Sequence, residues 1–197
     1  MNRARTLAEL HAAMRACEQA PGLNMLQHGE AVHDHYQRLV VQLHAGEAPY
    51  PVLDEVYARF TWPTPASLER YHRYHDCGKH LVQQIGDDGK RRFPGHAEAS
   101  AAQYAAVFPG DPATAHLIGR DMDFHTLRGD DLDGLCQDPA APVLYLTAWA
   151  EVYANAEMFG GPASDSFKIK AKRLVQAGKR LLNVSSSTLT SLGVCHV

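Results

Sequence analysis

His75 and Asp76 stand side by side in the stretch Tyr71-His-Arg-Tyr-His-Asp-Cys-Gly-Lys79. An imidazole beside a carboxylate is a pair that can close on one metal ion. Adjacent helical residues point about 100° apart, so both face one centre only at a helix end or a bend. Gly78 is expected to supply that end as a C-terminal helix breaker. Lys79 follows as a point charge that could hold a phosphate oxygen. The dipeptide alone is a weak signal, because the chain has a second one, His33-Asp34, and an isolated pair is better explained as a solvated helix terminus.

Other candidates are spread along the chain. His28 lies on or beside the apolar stripe of a helix predicted from Met25 to about His44, with Asn24 as its cap. A lone histidine there is ordinarily a satisfied core residue, and His33 and His35 fall on the solvated flank. His96 follows Phe93-Pro-Gly in the first turn of a helix expected from Gly95 to about Phe108. Pro112 opens a helix that, if it runs through Asp121, Met122 and Asp123 to His125, puts Asp121 and His125 on one face. A solvated acidic helix end explains that stretch equally simply. Ala140–Met158 is apolar on all sides, which predicts burial, and Glu151 sits within it. A buried carboxylate is normally paired or on a metal; otherwise Glu151 occupies the helix's one wet edge. Lys168 and Lys172 share a face of a basic helix expected from Ser164 to about Leu182 and could hold phosphate, as could Arg91 and Arg92. Solvated charge is the ordinary explanation for all four.

The elements that must position these residues form one domain over 1–197, with no repeat and no dividing linker. The chain has 197 residues, 45% of them hydrophobic, enough for a sizeable core. Further helices are expected at Thr6–Gln19, stopped by Pro21-Gly22, and at Leu53–Phe60 inside the Gly/Pro-rich stretch 45–65. Ser67 is expected to cap the helix carrying the His-Asp pair. Gly86-Asp-Asp-Gly89 predicts a short hairpin or ordered loop near residues 82–93. A basic helix fills 162–183, and 184–197 reads as a weakly ordered tail. A formal net charge of −3 argues against duplex DNA binding. No run is long enough to span a membrane, and Met1–Glu18 lacks a signal-peptide pattern. The four cysteines (17, 77, 136 and 195) include no Cys-x-x-Cys pair, so neither a disulfide framework nor a structural zinc site is expected, and a reducing cytoplasm fits. Twelve histidines, several beside acids, point toward metal.

Taken in order, His28, His75-Asp76, His96, His125 and a carboxylate in a late buried helix form a series that resembles the HD-domain superfamily of metal-dependent phosphohydrolases. His75-Asp-Cys-Gly-Lys79 is similar to the family's His-Asp-x-Gly-Lys. Phe93-Pro-Gly-His96-Ala-Glu-Ala-Ser100 is similar to the segment that brings its next histidine. The resemblance covers about 24–161 and implies an all-α, HD-like helical bundle. It implies that His28, His75, Asp76 and the late carboxylate hold one ion. Asp76 would bridge to a second ion held by His96 and His125. Two departures stand out. The closing aspartate falls at Glu151, one methylene longer, and the fourth-histidine slot is open among Asp121, Asp123 and His125, leaving one ion or two. Such ligands suit Mn, Fe, Co, Ni or Zn, with Mg admissible at a carboxylate-rich position.

The implied activity is hydrolysis of a phosphomonoester or phosphodiester of a nucleotide or RNA end. Asp76 and Lys79 would be catalytic, and Lys79, Arg92, Lys168 and Lys172 the contacts to substrate phosphate. More narrowly, the segments around His96 and His125 are similar to HD domains of bacterial RNA end repair, which act on 2′-phosphates or 2′,3′-cyclic phosphates. The chain has no Gly-x-x-x-x-Gly-Lys-Ser/Thr loop, and so no kinase of its own. The alternative is a non-catalytic HD-type module that binds a nucleotide or a partner in the same pocket, and Glu151 favours it. Oligomeric state is not legible.

Overall fold

Thr6 starts the first helix, α1 (Leu7–Ala16), with a reciprocal cap. Its hydroxyl accepts from the Glu9 N–H, and the Glu9 carboxylate accepts from the Thr6 N–H. Such caps contribute about 1 kcal/mol, so Thr6→Ala is expected to lower unfolding stability by about that much in urea titration, without touching metal content. The helix ends at Ala16, short of the expected Gln19. The residue before a proline is biased to extended backbone, and Glu18–Ala20 (β1) pairs antiparallel with Leu23–Asn24 (β2) around Pro21-Gly22. This computed structural model describes residues 3–183, and the tail expected at 184–197 lies outside them.

Asn24 and Gln27 form a second reciprocal cap that opens α2 (Met25–Ala45), which Gly46 closes at φ 69°. α3 (Pro51–Arg59) follows. The expected Ser67 cap is not formed: a 3-10 turn at Pro65–Leu68 intervenes, and there the Ser67 N–H donates to the Thr64 hydroxyl. α4 (Glu69–Tyr74) ends one residue before the His-Asp pair, a turn occupies 75–78, and α5 (Lys79–Val82) resumes. The expected hairpin is present as β3 (Gln84–Ile85) against β4 (Arg91–Arg92).

Then come α6 (His96–Val107), α7 (Pro112–Gly119), α8 (Asp123–Thr126), α9 (Gly129–Leu135), α10 (Ala141–Met158) and α11 (Asp165–Asn183). The single helix expected from Pro112 to His125 is broken in two at 120–122. Gly119 is a poor helix residue, and Arg120 turns out to pair with Asp123 and Asp138. Among the described residues the fold is all-α apart from two small ribbons.

The core forms around α10. Leu144, Leu146, Trp149 and Val152 are buried on different sides of it, and α2 and α11 pack against it. α2 also crosses α4 at backbone distance: a Cβ on Gly29 would lie 2.3 Å from the Arg73 carbonyl oxygen. That close crossing sets His28, the neighbour of Gly29, beside the 75–78 turn. No helix among the described residues is long and apolar enough to cross a membrane.

Candidate metal centre

The turn at 75–78 does not depend on a left-handed glycine. Gly78 has φ −94° and ψ −5°, ordinary right-handed backbone. What it provides is room, because a Cβ there would meet Ala99 C and Ser100 N at 2.4 Å. α6 therefore lies directly on the turn. The Gly78 N–H donates to Ser100 Oγ (2.9 Å), and the Cys77 thiol donates to the Ser100 carbonyl (3.3 Å). This contact brings His96, in the first turn of α6, to the same point as His75 and Asp76.

Asp76 is the hub. Its Oδ2 lies 3.3 Å from His75 Nε2, 3.7 Å from His28 Nε2 and 2.6 Å from Lys79 Nζ, while its Oδ1 lies 3.7 Å from His96 Nε2. The two nearest imidazoles on this turn and on α6 are aimed the same way. His75 Nδ1 bonds the His72 carbonyl (2.7 Å) and His96 Nδ1 the Phe93 carbonyl (2.9 Å), each three residues back. Each backbone bond fixes Nδ1 as the protonated nitrogen and leaves Nε2 to face inward, the arrangement that orients histidine ligands.

α10 adds Glu151, which is 8% exposed, so it is not on a wet edge. One donor each from His28, His75 and Glu151 lie within 4.8 Å of one another, and this buried group could hold a metal ion. Glu151 Oε2 also stands 2.8 Å from His125 Nε2, and its Oε1 accepts from Asn155 Nδ2 at 3.4 Å. His125 thus meets the carboxylate that the resemblance places on the first ion.

Both nitrogens of His28, Nε2 of His75 and of His125, both oxygens of Asp76 and Oε2 of Glu151 are buried without a hydrogen bond of acceptable direction. Buried polar atoms are rarely left so. Here seven belong to five residues of one cluster, all nitrogen and oxygen donors suited to a divalent ion. The residues fit a metal.

Each charge in the cluster acts on its neighbours. Burial pushes the His28 imidazole down to about 4, with His75 acting in the same direction. Burial also opposes charge on His75, but Asp76, then Asp121 and Glu151, outweigh it and hold His75 up at about 10. Burial would raise Asp76, yet Lys79 and His75 keep it well below the carboxylate range. Burial likewise opposes ionisation of Glu151, and His125 overcomes it and lowers the carboxyl; Glu151 in turn raises His125. Replacing Glu151 with glutamine keeps the shape and removes the charge. In chelated Glu151→Gln protein, NMR titration should find His125 losing its proton at lower pH than in the native chain. Divalent-ion affinity by calorimetry should fall by at least about tenfold. An unchanged affinity would remove Glu151 from the ligand set.

The remaining candidates sort by distance. Asp121 is buried behind the cluster, where it accepts from the Tyr71 hydroxyl at 2.6 Å; burial raises its pKa, Glu151 adds to the rise and His75 opposes it. Asp123 faces away and pairs with Arg120 at 2.8 Å. Lys79 is not an open phosphate contact: it is 5% exposed, held by Asp76 and by Gln19 Oε1 (2.9 Å), with Phe93 under its ammonium. Arg92 is exposed on the hairpin and pairs with Asp88, and Lys168 is exposed 3.9 Å from Asp165. Lys172 is exposed on α11, along a separate cavity. His33 bonds His72, and His35 bonds Glu157.

Sequence reasoning missed Gln19, Ser100, Asn155 and Lys170, whose charge is felt at His125. Asn155 was findable as the helical i+4 neighbour of Glu151, whereas nothing in the sequence ties Gln19 to Lys79. No family model matches the chain, and neither a curated protein nor a solved structure matches it.

Proposed function

We propose that the chain is a metal-dependent phosphohydrolase that cleaves a phosphomonoester or phosphodiester of a nucleotide or RNA end, with 2′-phosphate and 2′,3′-cyclic phosphate ends as the narrower candidates. The observation that carries this reading is the buried group of His28, His75 and Glu151, whose donors lie within 4.8 Å of one another, with Asp76 against both histidines, His125 against Glu151 and His96 at the edge. His28, His75, Asp76 and Glu151 would hold one ion. Asp76 Oδ1 and His96 Nε2, 3.7 Å apart, could contribute donors to a second. A divalent ion so held would supply Lewis acidity, lowering the pKa of water and offsetting phosphoryl charge.

The side chains contribute orientation and charge. His72 and Phe93 carbonyls lock the rings of His75 and His96, so little reorganisation accompanies reaction. Burial opposes the charge on Asp76, and Lys79, 2.6 Å away, balances it and favours the ionised form. His125, whose Nε2 stands 2.8 Å from Glu151 Oε2 and which is only partly buried, is placed at the open side of the cluster, where a proton could be passed to a departing oxygen.

The test is turnover after metal exchange. Protein stripped and reloaded with Mn, Co, Ni, Zn or Mg would be offered an aryl phosphate, an aryl phosphodiester and 2′,3′-cyclic nucleotides. Metal-dependent hydrolysis is the expected result; a chain that takes up no metal under any condition overturns the reading. One observation favours the non-catalytic alternative. The Lys79–Asp76 and His125–Glu151 pairs already balance charge within the cluster, as a binding pocket without an ion would require. Tight nucleotide binding without turnover would support that module.

A further inference from the structure

A second concavity is built for an anion. α8 and α9 meet the C-terminal half of α11 around a cavity of about 270 Å³, and no residue of the histidine cluster lines it. Four cations do: Arg128, Lys172, Arg173 and Arg180. Phe124 and Leu132, both nearly buried, form an apolar floor below them, and no carboxylate among the described residues is in the lining. In a chain of net charge −3 this is a local reversal of sign.

The cations are unevenly answered. Arg180 pairs with Asp133 at 2.6 Å. Arg128 is held by two backbone carbonyls, of Leu127 and His125, which fix its guanidinium but leave its charge unpaired. Lys172 and Arg173 have no hydrogen bond or ion pair among the described residues. Like charges gathered around a concave wall repel one another and focus their field into the cavity. An arriving anion relieves that repulsion, and guanidinium groups match phosphate oxygens two at a time. The volume is close to the lower end for small-ligand sites, which run from about 300 Å³ upward. Apolar surface beneath a cationic rim suits a ring carried on a phosphate.

We propose that this cavity is a second binding site, separate from the metal centre, that takes the phosphate of a nucleotide with its ring over the Phe124–Leu132 surface. The nucleotide could be free or part of a single strand, since both present the same group. Arg128 joins the cavity to the cluster through the carbonyl of His125, so α8 is common to both sites.

The test uses the full chain, with and without chelator, so its outcome is independent of whether the protein hydrolyses anything. Adenosine 5′-monophosphate would be titrated by calorimetry, and a short fluorescein-labelled RNA strand by anisotropy. The comparison variant is Lys172→Glu with Arg173→Glu, two exposed positions with no partner to lose; thermal melting confirms its fold, and Lys172→Ala with Arg173→Ala serves if the reversal does not fold. Saturable binding that survives chelation and weakens at least about tenfold in the reversal variant is expected, since each lost charge-assisted contact is worth roughly a factor of ten. Saturation by the mononucleotide identifies a free nucleotide as the ligand; saturation by the strand alone identifies strand phosphates. No saturable binding of either probe, equal affinity in the variant, or loss of binding on chelation overturns the proposal.

Discussion

An Asp76→Asn chain is expected to bind no divalent ion, to lose turnover by more than a hundredfold, and to be less stable even without metal. Both oxygens of Asp76 are used, Oδ2 toward His28, His75 and Lys79 and Oδ1 toward His96. Asparagine keeps the outline and removes the charge. Lys79, nearly buried, is left without its carboxylate, and breaking one side of a buried ion pair costs about 3 kcal/mol or more.

His75 loses the main group that holds its pKa up. The His75–Asp76 contribution in the metal-free native chain is fully present below the ordinary imidazole pKa and fades as pH rises through about 10. The stability gap between native and variant should therefore narrow at alkaline pH. Metal widens it again: an ion at a hundredfold its Kd adds about 2.7 kcal/mol to a chain that binds it and nothing to one that does not. Melting with and without Mn, together with metal content by mass spectrometry, reads both effects. A variant that retains the native metal content would sink the metal centre.

The long elements were legible because their signals are local. Asn24 and Gly46 bound α2 by cap chemistry, and the unbroken apolar composition of 140–158 announces a buried α10. The misplaced boundaries all depend on something distant or competing. α1 yields to a ribbon around Pro21-Gly22, and the Pro112–His125 stretch breaks where Arg120 pairs with Asp138, eighteen residues away. The candidate site follows the same division. Types and order pointed to His28, His75, Asp76, His96, His125 and Glu151, and the structure brings all six together. The pairings inside the cluster were not legible, since neither His125 on Glu151 nor Lys79 on Gln19 follows from spacing along one element. Sequence reasoning also assigned Gly78 the wrong physical task, a helix stop, because the atoms it makes room for belong to α6.

Gly78→Ala is accordingly the substitution with the largest expected effect on stability away from the ligands themselves. One effect favours alanine: it restricts the unfolded chain, worth up to about 1 kcal/mol; helix propensity does not, since Gly78 lies in the turn that caps α5. The dihedrals do not oppose it, since φ −94° suits any residue. Against this stands contact at 2.4 Å with Ala99 C and Ser100 N, and 2.6 Å with Ala99 O. These are backbone atoms of a helix interior, which cannot swing aside as a side chain would. Relief requires α6 to move as a body, breaking the Gly78–Ser100 and Cys77–Ser100 bonds and drawing His96 away from Asp76. Overpacking of this kind costs about 1–3 kcal/mol, occasionally more, and the lost hydrogen bonds add about 1 kcal/mol each, so the steric side wins. Urea titration should show a net loss of about 2 kcal/mol or more, with weakened metal binding in the folded fraction. Gly134→Ala is the matched control. Its Cβ meets nothing within 4 Å in α9, so it should be neutral or stabilising by up to about 1 kcal/mol. If Gly78→Ala proved as stable as Gly134→Ala, α6 would not lie on the turn at this distance, and the placement of His96 beside Asp76 would fall with it.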